Sequence, residues 1–205
     1  MVVPKGGFKT YNTMIGNPIH PGTGKPTPIF DYQDEYSNAW DKHHRLMLNK
    51  SRKIGATETG LRKIGQKSLN GIYSNHRVMI VAGNKQSVAN RFLERFLEQF
   101  PTKGFNDASG KHWGYNDIVL EESSSQCDLL GNIHIGAYPA TESVRGEENV
   151  ICVYMSEVAF TGLIDDTKVY NALHPNIANI PDADFIMEST PNGKRGFFWT
   201  NWQSN

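Results

Sequence analysis

From residue 30 onward, short apolar runs alternate with amphipathic stretches. DYQDEYSNAWDKHH at 31–44 predicts a short helix, and RLMLNKS at 45–51 a strand. Residues 57–73 predict a second helix, with Leu61, Ile64, Leu69 and Ile72 close to one face. VMIVAG at 78–83 is a short apolar strand ended by glycine. Asn84 can cap the helix after it, whose inward stripe is Val88, Phe92, Phe96 and Phe100. Residues 101–117 read as a polar loop. DIVLEE and NIHIGA then read as two strands joined by SSSQCDLLG. VICVYM at 150–155 is the most apolar strand. ADFIMEST at 183–190 is another, and it runs into the turn PNGKRG. This alternation predicts an α/β fold, with a central, mostly parallel sheet covered by helices on both faces. Ligands of such sheets gather at the carboxyl ends of the strands. Residues 1–29, rich in Gly, Pro, Thr and Asn, read as an irregular arm preceding a domain at 30–205.

Composition narrows the class. A chain of 205 residues, 38% hydrophobic and 20% charged, suits one folded domain rather than wholesale disorder. Twenty-one basic residues balance twenty-one acidic ones, which excludes a polybasic protein but leaves room for a local basic patch. Cys127 and Cys152 are too few and too distant for a disulfide framework, so a reducing, cytoplasmic setting is expected, with Cys152 in the core. The seven histidines show no HExxH or CxxC partner spacing, and His43 and His44 would point to opposite faces of a strand. No structural zinc site is expected. No apolar run approaches the roughly 18–20 residues of a membrane span, and the N-terminus lacks a signal-peptide core. No membrane partner is expected.

Five constellations carry chemistry. KSRKIGATE at 50–58 sits between a strand and a helix, where a phosphate-binding loop belongs. Against G-x-x-x-x-G-K-[ST], Gly55 and Thr57 fit, whereas Lys50 replaces the first glycine and Ala56 the lysine. A cation must still reach the phosphates, and Lys50, Arg52 and Lys53 are all available. From 42 to 67 there are eight Lys or Arg residues and one acid, Glu58. ICVYMSEVAF at 151–160 is an apolar strand ending in Ser156-Glu157, where a Walker B strand usually ends in Asp-Glu. Such a strand end holds Mg²⁺ through water and activates the attacking water. FIMESTPNGKRG at 185–196 brings Ser189 and Thr190 to a strand end, before strong turn chemistry. TESVRGEEN at 141–149 carries Arg145-Gly146 in a polar loop near the same sheet edge. Gln33 in DYQDEY suits an adenine edge, and Tyr32 or Tyr36 could stack on the ring.

Taken in order, these five resemble the N-terminal ATPase domain of the large terminase subunit, the DNA-packaging motor of tailed viruses. That domain is an additional-strand, catalytic-glutamate P-loop NTPase. The resemblance covers about residues 30–202, and its most specific parts are SRKIGATE, SVRG before the Walker B-like strand, and STPNG. It implies an ATP-binding segment of Gln33, Lys50, Ser51, Arg52, Lys53, Ile54, Gly55, Ala56, Thr57 and Glu58. Lys50 is preferred to Lys53 as the phosphate lysine, because some terminases resemble this chain in carrying it at the front of the loop. The resemblance implies Mg²⁺ at Thr57, Ser156 and Glu157, with Glu157 as catalytic glutamate and Arg145 as an arginine finger acting in trans. Ser189 and Thr190 match the coupling motif.

The implied function is ATP hydrolysis that drives double-stranded viral DNA into a procapsid, in the cytoplasm of an infected host cell. The implied partners are DNA, portal protein, small terminase subunit and further copies of the chain in a ring. A C-terminal nuclease domain, which a complete large terminase also carries, is expected to be absent. Two other readings stay open: a different nucleic-acid-dependent ATPase such as a helicase-like motor, and a degenerate P-loop module that binds without hydrolysing.

Overall fold

The computed structural model describes residues 7–20, 22–141, 144–160, 166–194 and 196–204. Two N-terminal helices, α1 (Phe8–Ile15) and α2 (Asp31–Lys42), precede strand β1 (Arg45–Asn49) and helix α3 (Ala56–Leu69). Strand β2 (Arg77–Ala82) and helix α4 (Gln86–Leu97) follow. After them come a small hairpin, β3 (Phe105–Asn106) and β4 (His112–Trp113), and the single turn α5 (Tyr115–Ile118). Strands β5 (Val119–Glu122), β6 (Gln126–Leu129), β7 (Ile133–Tyr138) and β8 (Val150–Ser156) lead to α6 (Asp166–Ile177), β9 (Asp184–Ser189) and α7 (Gly196–Gln203).

Seven strands form one sheet in the order β1-β9-β8-β2-β7-β6-β5. The first five are mutually parallel, and β6 and β5 add an antiparallel edge. β8 lies near the middle and is buried along its whole length, which its unbroken apolar run requires. Side chains alternate across the sheet. Tyr154 faces α3, where Gly60 lets it approach, while Phe185, paired in register with Val153, meets Tyr170 of α6 on the opposite face. Helices therefore cover both faces, as the alternating pattern predicts.

Several local expectations are corrected. The arm at 1–29 is not irregular throughout. Phe8, Tyr11 and Ile15 of α1 are buried, and Arg62 of α3 donates to Asn12 Oδ1 and to the Gly16 carbonyl, both at 2.8 Å. Tertiary burial orders a segment whose Gly and Pro content suggested a coil. Ile72 lies beyond the end of α3 and is 54% exposed, so it does not extend that helix's apolar face. The buried stripe of α4 is Ala89, Leu93 and Phe96, with Val88 and Phe92 only partly covered; Asn84 is exposed, and Lys85 takes the cap position. The loop at 101–117 contains the β3–β4 hairpin and α5. The linker between the two predicted strands forms β6, whose alternating Cys127 and Leu129 are buried. His43 ends α2 and His44 precedes β1, so the pair does not lie in a strand. The turn after β9 leads into α7, whose Phe197 and Phe198 amides donate to the Asp166 carboxylate at 2.7 and 2.9 Å.

Candidate active site

The site forms at the carboxyl ends of β1, β8 and β9. The Lys50 amide donates to the Ser189 carbonyl at 3.0 Å, continuing the β1–β9 ladder for one residue before the loop at 50–55 departs. Gly55 stands before α3 with φ +75° and provides no side-chain cap. The first N–H groups of α3 therefore remain open at the positive end of its dipole, the arrangement that receives anions. Glycine is required there twice over, by its backbone angle and by a Cβ position only 2.5 Å from Gln33 Nε2.

Gln33 is buried and fastened to that loop. Its Oε1 accepts the Phe30 amide at 3.0 Å, and its Nε2 donates to the Ile54 carbonyl at 3.3 Å. Tyr32 donates to the same carbonyl at 3.1 Å, while its half-exposed ring stacks on Phe30. Tyr36 cannot serve as a base-stacking platform, because it is buried with its ring against Trp40.

Lys50 is buried, and its Nζ donates to Glu157 Oε1 at 2.6 Å. Thr190 Oγ1 donates to the other carboxylate oxygen of Glu157 at 3.3 Å. Glu157 and Lys53 both adopt left-handed backbone conformations, with φ of 56° and 63°, which are uncommon for non-glycine residues. Lys50, Arg52, Lys53, Glu157, Phe160 and Thr190 line an open pocket of about 270 Å³. Arg52 and Lys53 are exposed at its rim, and Ser51 between Lys50 and Arg52 is exposed as well. Ala56 is buried as the first residue of α3. Glu58 faces away from the pocket residues, toward Arg62 Nε at 2.7 Å and Arg95 Nη2 at 3.4 Å.

Sequence reasoning missed one residue here. Glu188 of β9 is fully buried, and its Oε1 accepts from Thr57 Oγ1 at 2.5 Å and from Ser156 Oγ at 2.7 Å. The available signal was an acid inside the apolar run FIMES, directly before Ser189-Thr190. Next along the chain, Ser189 Oγ accepts the Ala159 amide at 3.1 Å, and Asn192 Nδ2 donates to the Ala159 carbonyl at 2.7 Å. The segment after β9 is thus tied to the short turn Val158–Phe160 that follows Glu157.

No family model and no curated protein matches the chain. Solved structures do. The large terminase of bacteriophage HK97 aligns over 95% of this chain at 15% identity with a TM-score of 0.68. A large terminase from a thermophilic bacteriophage aligns over 87% at 13% identity, TM-score 0.60. The large terminase ATPase domain of Thermus phage P74-26 aligns over 85% at 17% identity, TM-score 0.51. The chain has the fold of a phage large-terminase ATPase domain. It spans 40% of the HK97 protein, 43% of the thermophilic-phage protein and 69% of the P74-26 domain.

Within this terminase-type P-loop fold, β9 is the additional strand, standing between the strand that feeds the loop and the strand that ends at Glu157. Arg145 lies elsewhere. The loop from β7 to β8 crosses from the carboxyl ends of the strands toward their amino ends. Ala140 bonds Gly83 just past β2, the Val144 carbonyl accepts from Asn176, and Glu147 pairs with Arg77 at the start of β2. Exposed Arg145 is therefore not at the sheet edge that holds Lys50 and Glu157, contrary to the sequence expectation. A larger cleft of about 510 Å³, lined by Asn75, His76, Arg77 and His134 among others, opens at those amino ends. It contains none of residues 50–58.

Proposed function

We propose that the chain is an ATPase motor domain that drives double-stranded viral DNA into a procapsid. The observation that carries this reading is the Lys50–Glu157 pair at the end of the loop that leads into the open N-terminus of α3, on a fold shared with phage large terminases. The nucleotide's phosphates would lie on the loop at 50–58, against the free N–H groups and Lys50, with Arg52 and Lys53 at the rim. Gln33 would hold the loop in shape and offer its remaining amide valences to the base. The oxygen donors present suit Mg²⁺, a hard cation that takes one or two carboxylates together with substrate phosphates. Among the described residues no three His, Cys, Asp or Glu side chains cluster, so the cation would arrive with the nucleotide rather than occupy a site built by protein alone. Thr57 and Glu157 would share its oxygen shell, directly or through water, with Ser156 at the strand end beside them. Bound there, Mg²⁺ would neutralise charge developing on the phosphates.

The 2.6 Å pair gives the residues an order of action. Without nucleotide, Lys50 occupies Glu157. A γ-phosphate oxygen would compete for the ammonium and release the carboxylate to orient water. Thr190 touches the other oxygen of Glu157, and Ser189 and Asn192 hold the turn beside it. A change at Glu157 would therefore be felt along residues 189–192, the route from hydrolysis to DNA grip. Arg145, remote from its own chain's site, would act on a neighbouring copy in a ring. Portal protein and the small terminase subunit would be further partners, in the cytoplasm of the infected host and transiently on the procapsid.

The test is Mg²⁺-dependent ATP hydrolysis over a range of protein concentrations, with Glu157→Gln as control. Activity that rises more than linearly with concentration and disappears in the variant, while nucleotide binding persists, is the expected outcome. Turnover at the wild-type rate in Glu157→Gln would refute the assignment of Glu157. Activity strictly linear in concentration would remove Arg145 from the site. A helicase-like motor would instead separate strands without a procapsid, and a degenerate module would show no turnover at any concentration.

A further inference from the structure

The serine at 156 leaves the usual Walker B position without a carboxylate, and a neutral hydroxyl is a weak partner for Mg²⁺ and its waters. One strand away, the sheet supplies an acid. β8 and β9 pair in register so that Ser156 stands beside Glu188, on the same face of the sheet. That face looks toward α3, whose first turn carries Thr57. Glu188 Oε1 receives both hydroxyls, Thr57 at 2.5 Å and Ser156 at 2.7 Å.

Two features separate this arrangement from an ordinary buried acid. Glu188 is 0% exposed, and among the described residues no Lys, Arg or His forms an ion pair with it. Its Oε2 is buried with no hydrogen-bond partner. The Tyr154 hydroxyl lies beside this carboxylate, whose charge opposes the ionisation of both Tyr154 and Tyr36. A carboxylate removed from water with one oxygen unsatisfied is costly, and native structures retain such a group where it has a use. The three cations of the loop are placed otherwise: Lys50 is held by Glu157, and Arg52 and Lys53 are exposed.

We propose that Glu188 is the metal-site carboxylate of this ATPase, transferred from the end of β8 to the end of β9, with Ser156 reduced to a hydrogen-bond donor that orients it. The ligand class is a divalent cation carried by a nucleoside triphosphate. Thr57 donates to Glu188 in the nucleotide-free site and turns an oxygen lone pair to the cation when the nucleotide arrives. This inference rests on the ATPase reading above, and its test separates the two.

The measurement is binding of a non-hydrolysable ATP analogue with EDTA and with Mn²⁺, followed by fluorescence for the nucleotide and by electron paramagnetic resonance for the metal. Glu188→Gln is nearly isosteric and keeps an oxygen for Thr57 and Ser156, so the local hydrogen bonds survive. Glu188→Gln is expected to bind the analogue in EDTA as wild type does. It should lose affinity for Mn²⁺ in the presence of the analogue by about tenfold or more, the scale of disrupted metal-site support. A second variant, Ser156→Asp combined with Glu188→Gln, returns the acid to β8 and is expected to recover the Mn²⁺ dependence. Glu188→Gln with unchanged Mn²⁺ affinity would overturn the assignment while leaving the ATPase reading intact. Failure of the wild type to bind the analogue with or without Mn²⁺ would overturn both. If Glu188→Gln loses its fold, a folded double variant that binds Mn²⁺ as wild type does still supports the transfer, and one that does not overturns it.

Discussion

Replacing Lys50 by methionine separates the lysine's charge from its packing. The Lys50 side chain is 6% exposed, and methionine refills most of the space taken by its methylenes. What disappears is the ammonium, 2.6 Å from Glu157 Oε1. Glu157 is 38% exposed at its side chain, so water reaches the carboxylate once its partner is gone. The loss in folding stability should therefore be that of a screened pair, about 1 kcal/mol or less, rather than the roughly 3–5 kcal/mol expected when a buried charge is stranded. Activity should respond on a different scale. A single donor aimed at developing transition-state charge contributes about 10²–10³ in rate, which at about 1.36 kcal/mol per decade is roughly 2.7–4 kcal/mol. Lys53→Met supplies the contrast, because Lys53 is exposed at the rim. It should retain activity within about tenfold of wild type. Phosphate release at saturating Mg²⁺-ATP, read beside urea melts of each variant, measures both quantities. Lys50→Met retaining more than about a tenth of wild-type turnover, with Lys53→Met the inactive variant, would refute the assignment and move the role to Lys53.

Two further outcomes follow from the packing. A Cβ at Gly60 would lie 2.5–2.6 Å from three atoms of the Tyr154 side chain, which is fully buried and stacked on Trp40 with centroids 5.8 Å apart. Gly60→Ala should therefore destabilise by about 1–3 kcal/mol despite its better helix propensity, and an increase in the urea midpoint would contradict the packing described. Burial raises the phenol pKa values of Tyr11, Tyr36, Tyr73 and Tyr154 above their ordinary 10.0, and the charge of Glu188 adds to this for Tyr36 and Tyr154. Raised folded-state values mean that the folded chain holds protons that the unfolded chain releases, so this stability is complete below about pH 10 and is lost as the pH climbs beyond it. Tyrosinate absorbance should rise cooperatively with the loss of circular dichroism; smooth ionisation near pH 10 in a folded protein would show that these phenols are accessible.

What the sequence made legible was the chemistry placed at junctions. Lys50, Thr57 and Glu157 stand where an apolar run stops and a polar or helical one starts, and such boundaries are local signals. The elements that escaped depend on distant partners. α1 is helical because Tyr11, Phe8 and Arg62 bury its face, not because its neighbours favour helix. β6 is held by β5 and β7 on either side, and its four residues carry too little pattern of their own. Glu188 is the sharpest case. Along the chain it is a lone acid within a strand, thirty-one residues from Glu157, and Ser156 looks like the loss of a metal ligand. Both readings treat each strand end separately. Insertion of β9 between β1 and β8 sets Glu188 beside Ser156 and below Thr57, so the three side chains form one hydrogen-bonded unit. A metal site of this kind depends on its charge rather than on the strand that carries it, because the cation senses where a carboxylate lies and not which backbone delivers it. The departure at Ser156 and the buried acid at Glu188 are then a single feature, and substitution at either position should be read together with the other.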